Sequence, residues 1–399
     1  MKRLATALSL LALAAAPAAE AQLSPNYTIT TNFTAAGSNE RGVAYGAVGG
    51  NERIYMSSKN GGTFVYIYDA ASGAFQNTAG SGAGSLDVTG ISGGFTALND
   101  VEVTDDGAIY GCNMTTSHVS SAFKCYYWSG ESAAPAAVAF TGLPTTGTVR
   151  IGDKVRVTGS GTDTYIWLVS PAHAGPPVVP VQLFRCKASS ATAFDCTNHD
   201  LSSVGVAGIT NGSASPNPGS TTSVWVNGNG VLPRLVTIPA VGSSGAATLV
   251  TNIPATQLGG GAGTGNNSIY AFKNDAGDST YVAIYEYSSG VYQRGRIVNV
   301  TPIVNSGTNV GVYSWGVTAS GGAITSSGFG DITLRPITVP ATRKGDSTPA
   351  AAKAAAAAYD VIVLAPNNGM VSAQTSNGSL PVELVNFAGV ASGSTARLS

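Results

Sequence analysis

Charged side chains are scarce in this chain. Of its 399 residues only 10% are Asp, Glu, Lys or Arg, and these balance to a formal net charge of −1. So weakly charged a surface gives no electrostatic reason to bind nucleic acid or an anionic membrane, since both need clustered cations. Histidine is rarer still: His118, His173 and His199 each sit in a Ser-, Pro- or Asn-rich, loop-like setting with no second His or Glu at ligand spacing. They read as surface residues, not as general bases or metal ligands. After the N-terminus no apolar run is long enough to span a bilayer, so no transmembrane segment is expected in the mature chain. The four cysteines fall in two close pairs, Cys112/Cys125 and Cys186/Cys196, each bracketing a polar loop between strand-like runs. Local disulfides fit that spacing in an exported chain. The alternative, a four-cysteine metal site, would need tighter pairs.

Glycine, by contrast, is abundant at 51 residues, interleaved with Ser, Thr and Asn and with Val, Ile, Tyr and Phe. That composition suits many tight turns between short strands and does not suit disorder. Residues 98–128, LNDVEVTDDGAIYGCNMTTSHVSSAFKCYYW, read as three strands and two turns. Val101, Val103 and Ile109 alternate around Asp106-Gly107, a favoured hairpin turn, and residues 122–128 form the return strand. Comparable units recur every roughly 40–50 residues, as propeller blades do. They cover residues 41–82, the stretch around 98–128, 149–200, 204–253 and 268–303, with a sixth beginning near Val312 (VYSWGVTA) and resuming at Tyr359. A seventh requires weak strands within 83–96 or 307–330. The expected fold is all-β, a β-propeller of about six or seven four-stranded blades; the alternative is a pair of tandem β-sandwiches. Residues 27–33 alternate like a strand and are expected to complete the last blade, closing the ring.

The ends carry their own signals. Lys2 and Arg3, an apolar run over 4–16 and the small-residue site Ala19-Glu20-Ala21 describe a secretory signal peptide, residues 1–21, with Gln22 opening the mature chain. The apolar run is too short for a membrane anchor. The propeller domain is then 22–376. Within it, residues 348–358 (TPAAAKAAAAA) have an N-cap, a proline suited to the first helical position and many alanines, which predicts a short helix or tether.

Two resemblances follow from these segments. GISGGFTALNDVEVTDDGAIYGCNMTT (90–116), GDKVRVTGS, VWVNGNG and DVIVLAPNNGMVSA resemble an uncharacterised family of exported bacterial β-propeller-like proteins, over most of residues 41–376. The likeness implies the fold and export and leaves the function open. Next to it, LPVELVNFAGV after Ser379 resembles the L-P-V-E-L-x-x-F linker of Bacteroidetes-type proteins exported by the type IX system. There a β-sandwich and a sorting domain follow, so residues 377–399 read as a linker truncated before a sorting region.

No motif supplies chemistry. Gly90-Ile91-Ser92-Gly93-Gly94 matches the nucleophile-elbow pattern, but the following FTALNDVEV is strand-like where the elbow needs a helix. The glycine tract 259–265 lacks the lysine of a phosphate-binding loop and reads as an inter-blade loop. Asp100, Glu102, Asp105 and Asp106 are the densest carboxylates. Calcium is the one cofactor they suggest, although Asp105-Asp106-Gly107 is explained as turn chemistry. Tyr127, Trp128, Trp167, Trp225 and Trp315 are candidates for stacking on sugar rings; alternatively they fill the space between blades. The expectation is a secreted or cell-surface, non-catalytic propeller that binds a glycan or a surface protein. The alternative is an extracellular polysaccharide hydrolase or lyase using the propeller face.

Overall fold

The computed structural model describes residues 23–76, 84–175, 177–258, 265–273, 277, 279–319, 328–337, 358–375, 389–392 and 395–398. The signal-peptide segment, the glycine tract up to residue 264, the alanine-rich stretch 348–357 and the LPVEL segment lie outside them; Ala358 opens a strand.

Six antiparallel sheets follow one another along the chain as the blades of a β-propeller. Blade 1 comprises Glu40–Val48, Asn51–Ser58 and Phe64–Asp69. Isolated bridges Tyr66↔Ser85 and Tyr68↔Phe75 occupy the place of its fourth strand. Blade 2 is Thr96–Val103, Ile109–Met114, Cys125–Trp128 and Ala136–Ala137. Blade 3 is Val155–Thr158, Tyr165–Ser170, Gln182–Ser190 and Ala193–Asp200. Its outer edge is covered by short parallel partners, Ala139–Thr141 and Gly245–Ala246, arriving from either side in sequence. Blade 4 is Thr210–Pro216, Ser223–Asn229, Arg234–Thr237 and Thr248–Asn252. Blade 5 is Gly265–Lys273, Thr280–Ser288, Tyr292–Asn299 and Tyr313–Ala319. Blade 6 is Asp331–Ile337, Ala358–Ala365, Gly369–Gln374 and, outermost, the N-terminal strand Pro25–Ile29. That last pairing closes the ring, and tandem sandwiches are excluded by it.

Two sequence expectations are corrected. VYSWGVTA is the outer strand of blade 5, not the start of blade 6. The inner strand of blade 6 is DITLRPI, which is short, charged and carries Pro336; a proline is tolerated because an innermost strand uses only one edge for pairing. The closing strand is Pro25–Ile29, two residues earlier than the alternation suggests.

The core is divided into six clusters, one at each blade-to-blade interface. Residues alternate along a strand between the two neighbours. In blade 3, Tyr165, Trp167 and Val169 face blade 4, while Ile166 and Leu168 face blade 2. Both faces of each sheet are therefore buried, which is why YIWLV and VIVLA read as unbroken apolar runs. The close approach of blades also demands a glycine: a Cβ on Gly42 of blade 1 would lie 2.7 Å from the Asp100 Cα of blade 2. Turn chemistry behaves as expected, with Gly73 (φ 72°) and Gly107 (φ 84°) in the left-handed region.

Cys112 pairs directly with Cys125 and Cys186 with Cys196 across neighbouring strands, and both pairs are disulfide-bonded. Closing such short loops contributes roughly 2–3 kcal/mol each. No helix among the described residues is long and apolar enough to cross a membrane.

Candidate functional site

The six innermost strands present one edge to the propeller axis, where no further strand can pair with them. Their free N–H groups must be satisfied in another way. Side chains from the preceding blade do this. Asp331 Oδ2 accepts the Val43 N–H at 2.9 Å and Thr333 Oγ1 the Tyr45 N–H at 3.3 Å. Asp100 Oδ2 accepts the Val155 N–H at 2.7 Å. Ser213 and Ser215 accept the N–H groups of Ile269 and Ala271 at 3.1 and 3.0 Å. Blades 6, 2 and 4 thus cap the edges of blades 1, 3 and 5. Asp100 and Asp331 are equivalent even in detail, because each uses its other oxygen to accept the N–H of its own following residue.

Two cations from blade 3 fill the axis between these edges. Lys154 Nζ lies 3.2 Å from Asp331 Oδ2 and donates to the Arg41 carbonyl at 2.5 Å, joining blades 3, 6 and 1. Arg156 Nη1 lies 2.8 and 3.0 Å from the two Glu102 oxygens, and its guanidinium stacks over the Tyr270 ring at 4.2 Å. Lys154, Arg156, Asp100, Glu102 and Asp331 are all 1–4% exposed.

Three carboxyl groups face two cations, and burial favours retaining a proton. Burial pushes Asp100 up to about 8, against the charge of Lys154, and the neighbouring Asp331, to which it is hydrogen-bonded, adds to the rise. Burial acts on Asp331 in the same sense, but Lys154 and Arg156 outweigh it and hold that carboxyl below its ordinary value. The sign for stability follows. Asp100, raised in the folded state, contributes fully below the unfolded pKa near 3.8, and the contribution is lost as pH rises through about 8. We expect urea-derived stability to fall as pH rises from 4 towards 8. Asp100→Asn, which mimics the protonated acid, should flatten the slope; an unchanged slope in that variant would refute the assignment.

The mouth of the axis lies where the innermost strands begin. Here Arg41 is 2% exposed, donates from Nε to Asn99 Oδ1 at 2.7 Å and lies over the Phe329 ring at 3.9 Å. Its Nη1 and Nη2 make no hydrogen bond to any described residue. Burial pulls its pKa down to about 10. Asn99 is held by the Gly152 and Asp153 carbonyls, each at 2.8 Å. Arg150 is forked onto Asp153 and reaches Asn211. Lys59, half-buried at the end of the second strand of blade 1, has no acceptor among the described residues. Burial lowers its pKa, and the charge of Arg41 lowers it further. Asn267 of blade 5 is fully buried with neither amide atom paired, and its Nδ2 lies 3.2 Å from where a Gly328 Cβ would be, next to Phe329.

The residues singled out from sequence are placed elsewhere. Trp128, Trp167 and Trp225 are 0–1% exposed within the interfaces of blades 1/2, 3/4 and 4/5, so none offers a face to a sugar ring. Tyr127 is half-buried and packs on Tyr110 with ring centroids 5.4 Å apart. Trp315 belongs to the outer strand of blade 5, its side chain outside the described part. His199 is not a surface loop residue but lies fully buried in the outer strand of blade 3, its pKa lowered by burial to about 4. His118 and His173 are half-buried in loops, where the His118 Nδ1 accepts the Phe123 N–H. Ser92 is exposed and followed by a strand. Asp106 serves the Asp106-Gly107 turn, accepting from Thr104 and from the Gly161 N–H. Among the described residues no group of three or more His, Cys, Asp or Glu is arranged to hold a metal ion.

No family model matches the sequence, and comparison with curated proteins gives no match. Similar solved structures include a protein of unknown function from Dyadobacter fermentans, at 8% identity and TM-score 0.49, covering 88% of this chain and 97% of that one. The β-propeller domain of Cps50 (Swd1) from Myceliophteria thermophila is similar at 10% identity and TM-score 0.40, covering 88% and 100%. A thermostable family-43 glycoside hydrolase is similar at 8% identity and TM-score 0.39, covering 73% and 88%. At these levels the functional argument rests on the residues of this chain.

Proposed function

We propose that this protein is an exported, non-catalytic β-propeller that binds an extracellular glycan or surface protein at the mouth of its axis. The observation that carries the reading is the state of the axial carboxyl groups. A polysaccharide hydrolase needs two carboxyl groups with room between them for a glycosidic bond and water. Here Asp331 is engaged by Lys154 and the Val43 N–H, Glu102 by Arg156, and Asp100 by the Val155 N–H and Asp331. All three are sealed from solvent. The mouth, in contrast, holds the Arg41 terminal nitrogens, the Lys59 ammonium and the Asn267 amide, which make no hydrogen bond among the described residues. Two disulfides support an oxidising, extracytoplasmic location.

A hydrolase or lyase remains the second reading, because Asp100 and Asp331 do form an acid pair on the axis. One experiment separates the two: the protein is screened for binding to soluble polysaccharides, with product analysis of the same mixtures. Retention without new reducing ends is the expected result. Chain cleavage would overturn the proposal.

A further inference from the structure

We infer that the mouth of the axis binds the carboxylate of an acidic sugar, with Arg41 and Lys59 as its cationic contacts and Phe329 beneath the sugar ring; this rests on the binding-module reading. Three observations lead there. The first is a largely buried cation whose terminal nitrogens make no hydrogen bond among the described residues. A guanidinium withdrawn from water is ordinarily paired, because leaving it unpaired costs several kcal/mol. Arg41 is 2% exposed, yet among the described residues only its Nε has an acceptor. That bond to Asn99, itself clamped by two carbonyls, fixes the plane of the group, and Phe329 supports one face of it. What remains is the terminal edge, two parallel N–H donors at the spacing of a carboxylate.

The second observation is local charge. The whole chain carries −1, but Arg41, Arg150 and Lys59 gather around this mouth; of the carboxylates that act on Arg41, Asp153 is held by Arg150 and Asp100 accepts the Val155 N–H. Lys59 stands close enough to Arg41 to feel its charge and has no acceptor among the described residues. Two cations held near each other repel, and an anion placed between them relieves the repulsion. The third observation is Asn267, fully buried with both amide atoms unpaired beside Gly328. A side-chain amide of this kind suits the hydroxyl groups of a sugar, which both donate and accept. Phe329 joins the two halves, an apolar ring between Arg41 and Gly328 on which the C–H face of a sugar can rest.

The test uses the full chain and three polymers: polygalacturonate, dextran sulfate and neutral dextran, by affinity electrophoresis and calorimetry. Polygalacturonate is expected to bind at least about ten-fold more tightly than the other two, a difference of about 1.4 kcal/mol. Lys59→Ala, at a half-exposed site, should weaken that binding about five- to ten-fold with an unchanged melting temperature. Arg41→Lys should weaken it by more, because the charge stays but the fork is lost. Equal binding of dextran sulfate would overturn the choice of carboxylate. Binding of a neutral glycan that neither variant alters would overturn the site while leaving the binding-module reading intact. Absence of binding to any glycan or surface protein would overturn both.

Discussion

Replacing Lys154 by methionine is expected to cost roughly 3–5 kcal/mol of folding stability at pH 8, the usual penalty for stranding a buried charge. Methionine keeps the length of the apolar stem and removes the ammonium. Asp331 then loses its nearest cation while still accepting the Val43 N–H, and the Arg41 carbonyl loses its donor. The loss should shrink at pH 4, where the carboxyl can take up a proton and cease to be a stranded anion. Adding Asp331→Asn should return part of the stability at pH 8, since the two sites are in contact and their effects are not additive. Urea unfolding of both single variants and the double variant at the two pH values is the measurement. A cost below about 1 kcal/mol at pH 8 would mean that water or rearrangement relieves the axis, and that the charge ladder does not hold the blades together.

Removal of residues 23–33 should have an effect of similar or greater size. Pro25–Ile29 is the only strand of blade 6 that comes from the opposite end of the chain, and it covers the edge of Gly369–Gln374. It brings Ile29 into the cluster between blades 6 and 1, with Tyr27 packed against it. Tyr27 Oη donates to the Ala70 carbonyl at 2.7 Å, and Asn26 donates to Asp360 at 2.6 Å. The buried isoleucine alone is worth about 2–5 kcal/mol, so a total on the order of 5 kcal/mol and a melting temperature lower by roughly 10–20 °C are expected. The exposed edge should also promote association. Thermal melts with light scattering will show both. Restoration by a synthetic peptide of residues 23–33 would confirm that the strand acts by closing the ring. An unchanged melt would show that links such as Arg335 to Glu52 and the Val43 N–H to Asp331 suffice to join blade 6 to blade 1.

The blades were legible because turns and strands have local chemistry. Asp106-Gly107 and Ser72-Gly73 mark hairpins, and apolar runs between them mark sheets buried on both faces. Blade 6 was read out of phase for the same reason: DITLRPI is charged and carries a proline, features of a strand whose second edge faces the axis. The axial network was harder to see, as its members come from blades far apart in sequence. Its trace is nonetheless present. Asp100 and Glu102 stand two residues apart in one apolar strand, and Lys154 and Arg156 stand two apart in another, with opposite sign. Charges at i and i+2 lie on one face of a strand, so each pair had to meet a buried counterpart. Arg41 and Phe329 left no such trace, because their meeting depends on ring closure. The tryptophans drew attention by size, but in a fold whose core lies between blades size is what the interfaces require.

Among the described residues, blades 6, 2 and 4 lend polar side chains to the bare inner-strand amides of blades 1, 3 and 5. At these three joints the caps lie in front of an apolar interface between the same two blades. Prising one of them apart would bare backbone amides at the axis and apolar side chains behind them in a single step, so the two losses come together.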